Sequence, residues 1–563
     1  MTIRQSPGSK KKPELAANSG EIFSVPSGVF SGVWGQVCLL FAAWGILCSL
    51  NWTNDGLWFQ GDAPRHAING LFWKDLLHEG WQQPDDYARR YYARYPTICP
   101  TAYPPVFYLV EAAGFSMFGP SPFVAKWLVL AFALFAGIYT LLWLRRWIEP
   151  AAGVVAGLLL LMPGIRDWSH AVMLNVPAMA FGVGALYHSR RGLELPYDGG
   201  SSRHLAIGVA LATLGILTHP TLCTAVFIGL AWMLALGRWR ILTRPNILWL
   251  AVACSVVLIP AFFAIYHFAP RQFAQLSPPA GREIGLWSSM KYVGAHCVLP
   301  MAGSVVLVSA AVGLLAGLAR PRWRRESVVA LLWIGVPSFL LSCIWAKDVR
   351  YLLIACPALV CLIAIAALSA SRWLSHWGWP RLARLAFASL LGGLALASTI
   401  SAHRAPPPSI SGFVEVVRYM EQVAPSEPVF YEGLLDGVYT FHLRADDSKF
   451  QRQVVLVRKW IVDGARKPMT SQAIGDKILS SGCRWLVMEI PRPIHETLLL
   501  AKLRDVIRRE EFELVRTFPM PKRVLQRVEV YRIRSPSSKR LVSPPVFDLP
   551  QEVFGGTVDP IRR

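Results

Sequence analysis

The chain of 563 residues is 53% hydrophobic and 16% charged, against roughly 45–50% and 25% in ordinary soluble domains, and its mean hydropathy is +0.38. Lys and Arg outnumber Asp and Glu by 57 to 35, a net charge of +22. Those figures exclude an ordinary soluble protein, and 22 Trp, 27 Phe and 16 Tyr are enough for aromatic belts at both faces of a bilayer.

Segment 1–29 is polar and basic, with Arg4, Lys10, Lys11 and Lys12, and reads as a cytoplasmic tail. The first apolar run keeps Trp34 and Trp44 and has no small-residue cleavage site, so an uncleaved span is expected. A span needs about 20 apolar residues, and eleven candidates follow one another. They lie near 30–51, 122–144, 151–164, 172–189, 205–218, 220–237, 246–267, 298–318, 327–345, 352–370 and 385–401. Arg145 and Arg146, then Arg190, Arg191 and Arg203, then Arg238, Arg240 and Arg244 fall on alternate connections. Arg320, Arg322, Arg324 and Arg325, and finally Arg372, Arg381 and Arg384, continue the pattern. This is the positive-inside bias. It places the amino terminus in the cytoplasm and everything beyond the eleventh run outside. With the charge assigned to cytoplasmic loops, nucleic-acid binding loses its support.

Two large segments are expected on the outer side. The first outer loop, 51–121, contains APRHAINGLFWKDLLHEG and PPVFYLVEAAGFSMFG. Their apolar residues recur at three- and four-residue spacing, as in helices lying along the membrane interface. The transmembrane domain so delimited is 30–404. The second outer segment, 405–534, alternates strand-like runs (EPVFYEG, QVVLVRK, RWLVMEI, FELVRTF, VEVYRIR) with helical ones (GFVEVVRYMEQV, SQAIGDKILSSG, ETLLLAKLRDVIRRE). That order predicts a small α/β domain. The tail 535–563 is rich in Pro, Ser and charge and reads as disordered. No internal repeat is visible. The fold class expected is thus an α-helical polytopic membrane protein of about eleven spans, with an extracytoplasmic α/β domain at its end.

Ionisable residues near a bilayer need a reason, and the outer ends of the spans collect them. Asp62, Arg65 and His66 stand in GDAPRHAING, Arg166 and Asp167 in PGIRDWSH, Asn175 in MLNVPAMAF, and His219 in LTHPT. Lys347, Asp348, Arg350 and Tyr351 stand in WAKDVRYLLIACPAL. The topology brings all of them to one face. Each also has a plain alternative. Asp62 can cap the helix that follows it or pair with Arg65 three residues on. Arg166 and Asp167 can be loop charges, His219 can mark a turn before Pro220, and Lys347 and Arg350 can snorkel. Outer-side His66, His78, His170, His219 and His296 show no zinc spacing, and no metal or cofactor is expected.

GDAPRHA, then YPPVFYLVEAAGFSMFGPS, LTHPT and RYLLIACPAL, in that order and on that side, resemble the GT-C glycosyltransferases. The nearest branch is that of the protein O-mannosyltransferases and lipid A aminoarabinose transferases. The run VFYEGLLDGVYTFHLR is similar to the outer domain of bacterial relatives. The resemblance implies an inverting transfer of sugar from a polyprenyl-phosphate donor to a hydroxyl acceptor in the cell envelope, at the outer face of the cell membrane. Asp62 matches the family's first carboxylate and Arg65 its arginine. Ala63 stands where the family usually has a second acid, His66 where it has an aromatic residue, and Asn175 where it commonly has an acid before Pro.

The implied chemistry makes Asp62 the base for the acceptor hydroxyl. Lys347, Arg350 and Arg166 are the cations for the departing phosphate. Arg65, His66, Asp167, Asn175, His219 and Tyr351 complete the substrate-binding set. Three rival readings stay open on the sequence: a transporter or flippase, which should carry mid-membrane charges and related halves, an inactive scaffold of the same fold, and another lipid-linked ligase, such as an O-antigen ligase, of a related fold class.

Overall fold

The computed structural model of the protein describes residues 32–50, 55–57, 62–146, 148, 151–195, 199–268, 285–404, 409–461, 469–492, 496–520 and 525–534. The basic tail 1–29 and the tail 535–563 lie outside the described residues.

Helix α1 (Val33–Ser49) leads into the first loop, which carries α2 (Asp62–Asp75), α3 (Pro84–Arg94) and α4 (Val106–Phe118). Next come α5 (Pro122–Leu144), α6 (Ala152–Leu161), the short α7 (Pro163–Ser169), α8 (Asn175–Glu194), α9 (Gly199–Ile216), α10 (Cys223–Ala235) and α11 (Pro245–Phe268). The bundle closes with α12 (Leu286–Ala302), α13 (Ser304–Ala319), α14 (Pro321–Cys343), α15 (Cys356–His376) and α16 (Pro380–Arg404). Every one of the eleven apolar runs coincides with a helix. Among the described residues four are long and apolar enough to cross a membrane, and the α12–α13 pair makes a fifth if counted as one bent span.

Local signals explain the breaks. Ser121 accepts the Val124 amide at 3.2 Å with Pro122 in the first turn, so α5 starts sharply. α12 and α13 meet at 103° across Gly303, whose φ of +82° is open to glycine and strained for other residues. α15 is apolar on all sides and buried from Cys356 through Ser369, the pattern of a helix enclosed by others.

Beyond α16 the chain forms α17 (Phe413–Val423), β1 (Pro428–Glu432), α18 (Asp436–Asp446), β2 (Gln453–Leu456), α19 (Val457–Ile461), α20 (Ser471–Ser480), β3 (Trp485–Pro491), α21 (Leu498–Val506), β4 (Phe512–Pro519) and β5 (Leu525–Ile533). The sheet order is β2-β1-β3-β5-β4. β1 pairs parallel with β2 and β3, while β3–β5 and β5–β4 are antiparallel. All five strand-like runs are strands. In QVVLVRK, however, the strand ends at Leu456, because the Arg458 amide turns to the Glu432 carboxylate at 2.8 Å.

Strand side chains alternate between two cores. Phe430, Val455, Leu486 and Met488 face α20 and α21. Val429, Tyr431, Val454 and Val487 share the other core with Phe413, Val438 and Phe441, and also with Ala67, Ile68, Leu71 and Phe72 of α2 and Tyr87, Tyr91 and Tyr95 of the α3 region. One correction follows. The polar side of α2 does not face water: the helix is packed between α4 and α18, with His66, Asn69 and Asp75 buried alongside its apolar residues. Its polar side meets protein where the interfacial reading placed water.

The loop and the α/β unit are locked together by charge. Arg444 of α18 donates to Asp75 at 2.6 Å and to the Tyr91 hydroxyl at 3.2 Å, and its guanidinium lies 3.9 Å over the Phe450 ring. Tyr91 also donates to Asp75 at 3.0 Å, and Tyr95 to Asp447 at 2.6 Å. Arg444 and Asp75 side chains are only 7% and 6% exposed, a desolvation that needs this full set of partners.

Candidate active site

Arg350 sits on a 3-10 turn, Val349–Ala355, that feeds α15. Asp348 caps that turn by accepting the Arg350 amide at 3.1 Å, and its carboxylate lies 3.4 Å from Nε of the same residue. The guanidinium then reaches α2. Nη1 and Nη2 each stand 3.4 Å from Oδ2 of Asp62, across 288 residues of sequence. Arg350 is flanked by Trp168, Tyr351 and the Met173 sulfur.

The pair is loose, since charge-assisted bonds normally close to about 2.7–2.9 Å. Asp62 remains 47% exposed while Arg350 is 12% exposed, so the carboxylate looks into open space and the cation forms the wall behind it. Burial pushes the Asp62 carboxyl up, but Arg350, His66 and Arg65 outweigh it and hold the group below the ordinary carboxylate value. No α2 amide bonds to Asp62 among the described residues, and the Asp62–Arg65 pair does not form.

His66, one turn along α2, shares a 2.8 Å hydrogen bond between Nδ1 and the Tyr108 hydroxyl of α4. Burial lowers the imidazole to about 4, so it is neutral at physiological pH. Tyr103 stands edge-on to His66 at 5.4 Å and stacks on His219 at 5.1 Å; His219 is in turn 5.9 Å from Tyr351. His219 serves both of its expected roles, capping the turn that starts at Pro220 by accepting the Thr221 amide and lining the site with its ring. Aromatic faces beside an open carboxylate suit the apolar faces of a sugar ring.

The other expected residues do not join this cluster through a side-chain contact. Arg166 is paired with its neighbour Asp167 at 2.5 Å. Lys347 donates back to the Ile344 carbonyl at 2.5 Å. Asn175 opens α8 with its Nδ2 buried and without a hydrogen-bond partner among the described residues. Arg65 turns toward the α/β unit, where its Cγ lies 3.6 Å from the Cβ position of Gly437. Neither Arg65 nor Lys347 has a carboxylate partner among the described residues. No three His, Cys, Asp or Glu side chains are grouped to hold a metal among those residues.

Tyr103, Tyr108, Trp168 and Met173 went unremarked in the sequence reading. Two of these, and Asp348, carried a signal. Tyr103 and Tyr108 lie within YPPVFY, and Asp348 precedes Arg350 by two residues, the spacing of a side chain capping its own turn.

No protein-family model and no curated protein matches the chain. Solved structures do. ArnT from Cupriavidus metallidurans bound to undecaprenyl phosphate superposes with a TM-score of 0.62 at 15% identity, covering 90% of this chain and 98% of that one. The oligosaccharyltransferase of Archaeoglobus fulgidus gives 0.50 at 12% identity over 81% and 70%. The arabinofuranosyltransferase AftD from Mycobacteria gives 0.50 at 15% over 89% and 40%. At such identities the likeness is one of fold alone.

Proposed function

We propose that the chain is an inverting glycosyltransferase that carries a sugar from a polyprenyl-phosphate donor to a hydroxyl of a lipid, glycan or protein on the outer face of the cell membrane. The observation that carries this reading is the Asp62–Arg350 pair. A first-loop carboxylate and a late-span arginine meet in an aromatic-walled site, in a fold shared with an undecaprenyl-phosphate-binding protein. The reading goes with eleven spans, a cytoplasmic amino terminus and an extracytoplasmic unit from 405 to 534, which the basic clusters on alternate connections support.

In this mechanism Asp62 accepts the proton of the acceptor hydroxyl. The oxygen attacks the anomeric carbon as the bond to phosphate breaks on the opposite face, and the bonding pair leaves with the phosphate. Arg350 keeps Asp62 ionised and aimed. Lys347 and Arg65, which have no carboxylate partner among the described residues, are the cations to meet the phosphate charge. Arg166, already neutralised by Asp167, is the weaker candidate. The test is transfer by purified protein in nanodiscs, supplied with a panel of polyprenyl-phosphate sugars and a cell-envelope extract. Donor-dependent labelling of an envelope component supports the assignment, and its absence with every donor, from protein shown to bind polyprenyl phosphate, contradicts it.

A further inference from the structure

Two parts of the family-like motifs are not used by the cluster around Arg350: Pro64 and Arg65 of GDAPRHA, and the LLDGVY portion of VFYEGLLDGVYTFHLR. They meet each other. A Cβ on Gly437, in the first turn of α18, would lie 3.2 Å from both Cβ and Cγ of Pro64, closer than side chains normally pack. Glycine is what lets α18 approach the first turn of α2.

The approach is held from behind. Glu489, at the carboxyl end of β3, accepts the Leu434 and Leu435 amides at 2.8 and 2.9 Å and the Tyr431 hydroxyl. Glu432, at the end of β1, accepts the Arg458 amide, and Arg458 pairs with Asp436 at the start of α18. These three carboxylates are 0%, 4% and 3% exposed. Burying them is unfavourable unless each is fully bonded, and what their bonds fix is the loop that delivers Gly437. Arg65 and Arg458, against burial, hold the Asp436 carboxyl below its ordinary value. At its far end α18 is pinned to α2 again, by Arg444 on Asp75.

We infer that α18 is the positioning helix of the active site, with Gly437 the residue that sets the first turn of α2 and so the place of the Asp62 carboxylate. This rests on Asp62 being the base. The α/β unit is then part of the catalytic frame and not a separate platform. A shift of about 1 Å in a reacting group can lower turnover about 100-fold, so a small wedge at Gly437 has a large effect.

The test uses the full chain in nanodiscs. Gly437→Val should lower kcat by at least about tenfold while the donor KM stays within about twofold, the pattern of a lost transition-state geometry. Adding Pro64→Ala, which removes the opposing Cγ and frees the remaining Cβ from the ring, should recover part of that loss. Amide hydrogen exchange over residues 63–70 should rise in Gly437→Val and fall back in the double variant. Wild-type kcat with unchanged exchange overturns the inference, and so does a loss that Pro64→Ala leaves untouched, since that marks a general folding defect. Should the wild-type protein transfer no sugar from any donor, the proposed function fails, and the exchange comparison alone decides whether α18 positions α2.

Discussion

Removing the Arg444 side chain as Arg444→Met should detach the α/β unit locally without unfolding the bundle. Asp75 would keep the Tyr91 hydroxyl at 3.0 Å and a half-shielded Lys74 at 3.7 Å, but its 2.6 Å partner would be gone. Breaking a buried pair from one side costs about 3–5 kcal/mol. At about 1.4 kcal/mol per tenfold, the open population at α18 rises by about two to three and a half powers of ten. Asp75→Asn strands Arg444 in the same way. Combining the two removes both charges, so the losses should not add, with a coupling energy of about 2–3 kcal/mol. Native-state hydrogen exchange of α18 amides reads this directly. Losses that sum to within about 0.5 kcal/mol would show that the pair does not hold the two units together.

Arg350→Ala should move the acid limb of kcat/KM upward. The base must be ionised, so activity is lost as pH falls through the Asp62 value, which lies below 3.8 while Arg350 is present and rises with burial once it is gone; a pH–rate profile of both proteins checks this. In the α/β unit, burial raises Glu432 to about 8. A raised carboxyl contributes stability that is full below its unfolded value and lost as pH rises toward 8. Exchange at β1 should therefore quicken between about pH 5 and 8, and Glu432→Gln should flatten that slope. For sidedness, Arg508→Cys, whose parent side chain is 79% exposed, should react with an impermeant maleimide from outside intact cells in a cysteine-free background. Reaction only after permeabilisation would place the α/β unit in the cytoplasm and end the shared-face reading.

What was legible in the sequence was what a single element decides. Apolar runs such as 122–144 became helices with the same bounds, and the strand-like runs RWLVMEI and VEVYRIR became β3 and β5. The pairing of Asp62 with Arg350 was within reach because topology placed both at one end. The rest depended on partners from far along the chain. α2 has the periodicity of an interfacial helix, and nothing in it signals that α18 covers its polar side. α18 itself, DGVYTFHLRAD, mixes Asp, His and Arg with apolar residues and is nonetheless buried almost throughout, because Asp75 and the α3 tyrosines satisfy Arg444. Tyr103 and Tyr108 were visible as letters, but their stacking on His219 and hydrogen bond to His66 arise only when α2, α4 and the Pro220 turn converge.

The central claim is that Asp62 is the base, and single-turnover transfer by Asp62→Asn tests it most directly. The amide keeps the size of the side chain and an acceptor oxygen toward Arg350, and it cannot take a proton. With donor in excess of protein, the account predicts a rate lower by at least about 100-fold, normal donor binding and unchanged exchange in α2. A wild-type rate from Asp62→Asn would contradict it and leave the carboxylate as no more than a partner for Arg350.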